Sequence, residues 1–458
     1  MSKSKRLNRD HAKKTQRPMV EDRVIAEHLT ALLTPTIKSQ SRFFRELRLR
    51  DRILTLPLMV AAVLTLLWRD VPGVTELARL LKTEGFLWCE RTKVSQQALS
   101  QRFLTFPAIL FERIFKEILP DLNRRWKTRQ NRPLPESVQF TLSKFESIWC
   151  ADGSTLEALF RKLKSLEEVK PGKLAGKMGV VIDLVTRLPV EIWFLENPRA
   201  SDTRFEDNLL ELVSAQTLLL LDRGFYHFQF WQTLIERGIH FITRIKINAA
   251  IEYQQVFTDS YSLRDRLVQI GSGTKKTPTV TLRLIEVKRG KVWHSYLTSV
   301  LDPFVLPPYV VIDLYQKRWR IEDAFNMVKR LLGLSYLWTG SINGIKLQIW
   351  ATWLFYAVLV DLGDAVADEL SLPFDRISLE MIYRGLYYFH SASSRGEAHD
   401  PVKYFSNPDI QKCLGIVKRQ RKPKPKLIVA PFPEQQRGSE EFFFQSSLKP
   451  TLTTSLQP

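Results

Sequence analysis

An α/β fold, preceded by an all-α region and interrupted by a β-rich insertion, is the architecture this 458-residue sequence predicts. Three observations carry that expectation. From residue 141 the periodicity changes to short apolar runs ordered strand, strand, strand, helix, strand, helix, strand. One run, Thr217–Leu221 (TLLLL), is apolar on both faces and so belongs inside a sheet. Further on, Thr279–Val287 alternates, turns at Arg289-Gly290 and returns through Val292–Val300, a β-hairpin signature.

Composition narrows the partners. The length suits two or three domains, and 44% hydrophobic residues can bury a large core. A net charge of +20 and a pI near 9.8 favour a polyanion, nucleic acid before an anionic membrane. Cys89, Cys150 and Cys413 lack metal-ligand or disulfide spacing, as expected of a reducing compartment. The apolar runs Ile53–Trp68 and Leu347–Leu362 reach about 16 residues each, short of the roughly 20 a spanning helix needs. Both are expected to be core helices, in a soluble cytoplasmic protein with no targeting segment or membrane partner.

Residues 1–140 are expected to form the helical, DNA-binding N-terminal region. Its basic arm carries Lys3, Lys5, Arg6, Arg9, Lys13, Lys14 and Arg17, then Arg42, Arg45, Arg48, Arg50 and Arg52. Such an arm contacts phosphates or is simply solvated. Residues 74–104 read as a helix-turn-helix candidate: Val74–Lys82 with Thr75 as N-cap, a break at Glu84-Gly85, then VSQQALSQRF capped by Ser95. Ala98, Leu99 and Phe103 would face inward, leaving Gln96, Gln97, Gln101 and Arg102 outside, where they can reach bases or phosphates.

Residues 141–246 hold the first part of the α/β core. Ser147–Ala151 ends in Asp152-Gly153, Met178–Leu184 and Pro189–Leu195 form a hairpin at Thr186-Arg187, and Ser201–Ala215 is helical, capped by Ser201 or Asp202. Thr217–Leu221 ends in Asp222-Arg223-Gly224, Phe228–Arg237 is a helix closed by Gly238, and His240–Ile245 is a strand. Three antiparallel strands followed by alternating units is the order of the ribonuclease-H-like fold. There the first and fourth strands end side by side, which would join Asp152 to Asp222. Residues 247–305 are the basic β-rich insertion, with Lys275, Lys276, Arg283, Lys288, Arg289 and Lys291; a decorative extension of the sheet is the alternative.

Residues 306–390 complete the core. Val311–Leu332 has helical apolar spacing, with Ile321, Ala324, Phe325, Val328, Leu331 and Leu332 on one stripe. At about 100° per residue, Tyr315, Arg318, Glu322 and Lys329 gather on another face, and Asp323 points away. They are ordinary helix ion pairs, worth tenths of a kcal/mol, or a carboxylate among cations that suits a metal gripping a phosphate. Helices at Leu347–Leu362 and Leu379–Tyr388 follow, and residues 391–458 form a basic, proline-containing tail with KRQRKPKPK at Lys418–Lys426.

Glu322 would bring a third carboxylate to Asp152 and Asp222. Such a set suits Mg²⁺ or Mn²⁺, and two ions can activate an attacking oxygen and stabilise a leaving one. No H-x-x-x-H, G-x-S-x-G, P-loop or G-x-G-x-x-G competes.

With these residues in place, the chain resembles the bacterial insertion-sequence transposases that carry a DDE catalytic triad and a Y-x-x-R-x-x-x-E-x6-K signature. Tyr315, Arg318, Glu322 and Lys329 keep every spacing, and the first two acids match Asp152 in CADGST and Asp222 in LLDRGF, over about residues 145–362. The resemblance implies two Mg²⁺ or Mn²⁺ ions on Asp152, Asp222 and Glu322. It implies cleavage at terminal inverted repeats of double-stranded DNA and strand transfer into target DNA, with a DNA hairpin left open. Tyr315, Arg318 and Lys329 would hold the end phosphates, with Trp293, then Trp319, as stacking platform for a flipped base. It further implies a homodimer in a synaptic complex, in a bacterial cytoplasm at the nucleoid. The alternatives are a related nuclease without strand transfer and a catalytically silent DNA-binding descendant.

Overall fold

The computed structural model describes residues 23–419 apart from 50–51, 70, 72, 158–159, 162–174, 247–248, 275–276, 335 and 338–340. The basic arm up to Arg17, Arg50, Lys275, Lys276 and the tail beyond Arg419 lie outside the described residues. Among the described residues seven helices lead in: α1 (Arg23–Ser39), α2 (Ser41–Glu46), α3 (Leu56–Trp68), α4 (Val74–Thr83), α5 (Gln96–Thr105), α6 (Ala108–Thr128) and α7 (Glu136–Leu142). Then come α8 (Glu206–Leu212), α9 (Phe228–Glu236), α10 (Pro308–Lys317), α11 (Trp319–Asn326), α12 (Ile342–Glu369), α13 (Leu379–Ser394), α14 (Pro401–Ser406) and α15 (Pro408–Leu414).

The strands are β1 (Ser147–Glu157), β2 (Phe160–Arg161), β3 (Ala175–Asp183), β4 (Pro189–Leu195), β5 (Thr217–Leu221), β6 (His240–Arg244), β7 (Ile251–Asp259), β8 (Leu263–Ile270), β9 (Val280–Arg289), β10 (Val292–Thr298) and β11 (Tyr336–Leu337). Nine of them form one sheet in the order β4-β3-β1-β5-β6-β10-β9-β8-β7, while β2 and β11 pair separately. β4, β3 and β1 are antiparallel, and β5 and β6 run parallel to β1. This strand order fits the expected ribonuclease-H-like core. The β-rich segment adds to it edge-on: β10 pairs antiparallel with β6, and β9, β8 and β7 follow. The extension alternative raised by the sequence therefore describes its placement.

Each sheet face is covered by its own apolar cluster. Phe205, Leu209, Trp231 and Leu234 from the α8–α9 side pack on one face. The other cluster runs from Leu29 through Phe111, Ile148, Val311 and Trp353 to Ile416. The N-terminal helices therefore share a core with the sheet and the C-terminal helices, and do not enclose one of their own. α6 lies along α12. Their junction is closed by ion pairs from Arg129 to Asp361 (2.7 Å) and Asp364 (3.0 Å), and from Arg132 to Asp364 (2.6 Å). α12 is long and apolar enough to cross a membrane, yet 94% of its most apolar window is buried inside the chain. α3 is buried almost throughout as well, with Thr55 accepting from the Leu58 N–H (3.4 Å) at its start.

Several expectations change. α4 begins beside Gly73 without a side-chain cap, so Thr75 sits in its first turn. Ser95 caps α5, accepting from the Ala98 N–H (3.1 Å), but Ala98 is exposed and only Leu99 and Phe103 face inward. The connection spans 84–95, whereas a helix-turn-helix turn takes about three to four residues. Ser201–Ala215 is a 3₁₀ turn, Asp202–Phe205, followed by the short α8. The single long helix is divided: the Arg318 N–H bonds to the Tyr315 carbonyl (3.2 Å), tightening the junction of α10 and α11, and Met327–Leu331 widens into a π turn. Its apolar stripe is buried as expected, and Asp323 is exposed.

β7 and β8 have no counterpart in the sequence expectation, because β7 is a polar edge strand and β8 carries Arg264, Asp265 and Arg266. Asp265 faces inward and accepts two bonds from Arg283 of β9 (both 2.7 Å), with both side chains fully buried. Arg283 also donates to the Leu306 carbonyl (2.8 Å), tying the added strands to the start of α10. Asp265→Asn leaves that guanidinium charged and dry, and should cost about 3–5 kcal/mol in urea unfolding.

Candidate active site

The register of two parallel strands sets the site. Ala151 of β1 lies opposite Leu221 of β5, so the next residues, Asp152 and Asp222, leave the same sheet end on adjacent strands, about 4.8 Å apart in strand spacing. β1 continues past Asp152 to Glu157, so this aspartate sits within its strand and not after it. Asp152 Oδ1 accepts from the Gly153 N–H (2.8 Å). Asp222 caps a 3₁₀ turn, Arg223–Phe225, accepting from the Gly224 N–H (3.4 Å). The Tyr315 hydroxyl donates to the Leu221 carbonyl (3.3 Å), and its ring packs on Tyr296 of β10 at 5.3 Å. That buried tyrosine docks α10 onto the strand end.

One turn later Arg318 enters the gap. Its Nη1 lies 3.2 Å from Asp152 Oδ2, and its Nη2 reaches both Asp222 Oδ1 (3.4 Å) and Glu322 Oε1 (2.8 Å). A single guanidinium, only 6% exposed, thus joins carboxylates from three separate elements. Burial opposes its charge, but Tyr315 and the surrounding acids outweigh this and hold its pKa above the ordinary arginine value. Asp152 moves the other way. Burial pushes its pKa up to about 7, and the Asp222 and Asp202 charges add to this. Arg318 pulls it down, but that cation is shared among three acids.

Among the described residues no three His, Cys, Asp or Glu side chains are already closed tightly enough to hold a metal ion. The acids are spread across the width of a guanidinium. Their chemistry nevertheless fits a hard divalent cation: donors are carboxylate oxygens from within β1, from just after β5 and from α11, and the cluster already requires a buried positive charge.

The other predicted residues are dispersed. Lys329 is half-buried on the π turn. Trp319 adjoins Arg318 in sequence but is 63% exposed. Trp293 of β10 is half-buried at the same sheet end as Asp152 and Asp222, three residues beyond the Tyr296–Arg244 pair. Arg264 lies over its ring at 4.3 Å, and Lys288 sits 3.9 Å from the Tyr261 ring and 5.9 Å from that of Trp293. This row of cations and aromatics extends the carboxylate edge. Gln97 and Gln101 are exposed and Arg102 half-buried on α5, which packs against α4 and α12. One group escaped the sequence expectation. Ser201, accepting from the Thr203 N–H (3.4 Å), caps the turn, so Asp202 is not the cap and instead pairs with Lys177 (2.7 Å) beside the two aspartates.

Residues 144–358, just under half of the chain, match the family model described as Transposase DDE domain. The chain is similar to the transposase InsG for insertion sequence element IS4 of Escherichia coli, 29% identical over 34% of this chain and 37% of that protein. It is also similar to a Sinorhizobium fredii protein named as transposase y4zB, 25% identical over 41% of this chain and 54% of the relative. A Geobacillus stearothermophilus protein named as a transposase for insertion sequence element IS5377 is 24% identical over 37% and 45%. The chain thus spans about half or less of each of these relatives.

Asp152 also yields a stability test. With its unfolded pKa near about 3.9 and its folded value about 7, the folded metal-free protein binds the extra proton between them. Unfolding free energy from this group therefore falls as pH rises through that window. In urea unfolding with chelator present, Asp152→Asn should gain more stability over wild type at pH 8 than at pH 5. Equal gains at both would contradict the shifted carboxyl.

Proposed function

We propose that this chain is a DNA transposase that cuts phosphodiester bonds at the ends of an insertion sequence and joins the freed ends to target DNA. The observation that carries this reading is the gathering of Asp152, Asp222 and Glu322 on one buried arginine, inside the segment that matches the transposase domain. The net charge of +20 supports a nucleic-acid partner.

The three carboxylates are the groups that would hold Mg²⁺ or Mn²⁺, two ions in the full site. When bound, these ions supply Lewis acidity to the attacked phosphate and a lowered pKa to the attacking water or 3′-hydroxyl. The remaining work falls to the chain. Asp152 holds a fixed position within β1 and Asp222 at the turn that closes β5, and Glu322 approaches from a helix docked by Tyr315. Arg318 balances the acids in the resting protein. In the DNA complex Arg318 and Lys329 meet the phosphate of the cut strand, while Tyr315, expected from the sequence to join them, is buried on the Leu221 carbonyl and holds the helix that presents them. Trp293 is the surface on which a base displaced from the end stacks, within reach of Arg264 and Lys288 for the adjoining phosphates. Gln97, Gln101 and Arg102 present polar groups for end recognition. The reading includes two copies of the chain on paired inverted repeats, excision followed by insertion through a DNA hairpin or directly, and action at the bacterial nucleoid.

A mini-element with its terminal inverted repeats, incubated with the full chain, Mg²⁺ and a target plasmid, tests this. Cleavage and joined products are expected. Cleavage without joining would favour a nuclease, and binding alone a silent descendant. Glu322→Gln should abolish strand cleavage while keeping end binding within about two-fold; a variant that still nicks removes Glu322 from the site. Lys288→Ala should weaken end binding evenly across sequences and reduce the salt slope by about one.

A further inference from the structure

We propose that the Lys177–Asp202 ion pair is a positioning element of this site, wedging its carboxylate between the segments that carry Asp152 and Asp222. The inference rests on the reading of those aspartates as the metal-holding pair. Asp202 opens the 3₁₀ turn ahead of α8, and that turn lies flat on the sheet because three glycines leave room for it. Gly153 follows Asp152, and Gly224 lies two residues after Asp222. A Cβ at Gly153 would fall 1.8 Å from Asp202 Oδ1, and one at Gly224 would fall 2.0 Å from Oδ2. The carboxylate thus straddles both segments, one oxygen against each. Gly179, paired with Gly153 across β3 and β1, leaves room in the same way for the Phe205 ring.

Lys177 of β3 holds the carboxylate in place. Its ammonium lies 2.7 Å from Asp202 Oδ1 and donates to the Ala200 carbonyl at 2.6 Å, with both charged side chains mostly buried. A carboxylate so close to the metal-holding acids adds negative charge that they must share. Its amount and direction are fixed by one lysine anchored on the sheet. Groups that orient metal ligands in this indirect way affect metal affinity by about 10–100-fold. The glycines have the same origin: any side chain at either position would displace the wedge, so each aspartate is followed closely by a residue without Cβ.

The test is Mn²⁺ binding to the full chain, followed by electron paramagnetic resonance of the free ion, with thermal melting and metal-free DNA binding measured in parallel. Asp152→Asn must weaken Mn²⁺ binding; if it does not, the metal-site reading fails and takes this inference with it. Given that loss, Asp202→Asn and Lys177→Met should each weaken Mn²⁺ binding about 10–100-fold, with melting and metal-free DNA binding close to wild type. Wild-type Mn²⁺ affinity in both would overturn the inference alone, and so would a loss of melting temperature and DNA binding that matches the loss of metal. Gly224→Ala supplies an independent reading, because the atoms its Cβ would meet all belong to Asp202. Combined with Asp202→Gly it should behave as Asp202→Gly alone, because the clash has gone, whereas additive losses would show that the wedge is not what the glycine accommodates.

Discussion

Three acids crowd one sheet end, Asp152 mostly buried and Asp222 and Glu322 partly so, and in this protein Arg318 provides the compensating cation. Desolvating even one carboxylate is costly unless it is paired. The cluster is tolerable because a planar fork can reach β1, β5 and α11 at once. The fork in turn needs a fixed origin. Tyr315 supplies it by donating to the carbonyl just before Asp222, and the tightened backbone at Arg318 aims the side chain inward. Sheet register, helix docking and charge balance thus meet at one residue. Both the strained protonation of Asp152 and the demand for cations follow from this arrangement.

The elements that position this cluster were legible to differing degrees. β4 and β5 match their expected limits, since a strand between clear turns, or one apolar on both faces, writes its pattern locally. The Arg318–Glu322 pair follows from helical spacing alone. That the same guanidinium also meets Asp152 and Asp222 depends on strand register and on the bend at the α10–α11 junction, which periodicity does not encode. β7 and β8 stay hidden because a polar edge strand and a strand with a buried arginine partner both resemble loops in composition. Asp202 is the clearest case: its role is defined by spaces left by glycines on β1 and after β5, far from it in sequence.

The shared core changes how the N-terminal helices are understood. Their apolar faces were readable, but what they would cover was not. α3, α5 and α6 lie against α12, and the Arg129 and Arg132 pairs with Asp361 and Asp364 turn that contact into a charged seam inside an apolar interface. Such pairs add specificity of docking more than stability. α5 is thereby set at a defined orientation to the sheet, through α12, and not on a free tether.

Because β10 is hydrogen-bonded to β6, the Trp293 side chain and the acids at Asp152 and Asp222 belong to one continuous lattice of strands. Their separation is counted in residues, at about 3.3 Å each, and no hinge between them can stretch it. The sheet fixes this offset as a ruler does: a one-residue slip in the β10–β6 ladder would both turn the indole to the opposite face and move it by about 3.3 Å.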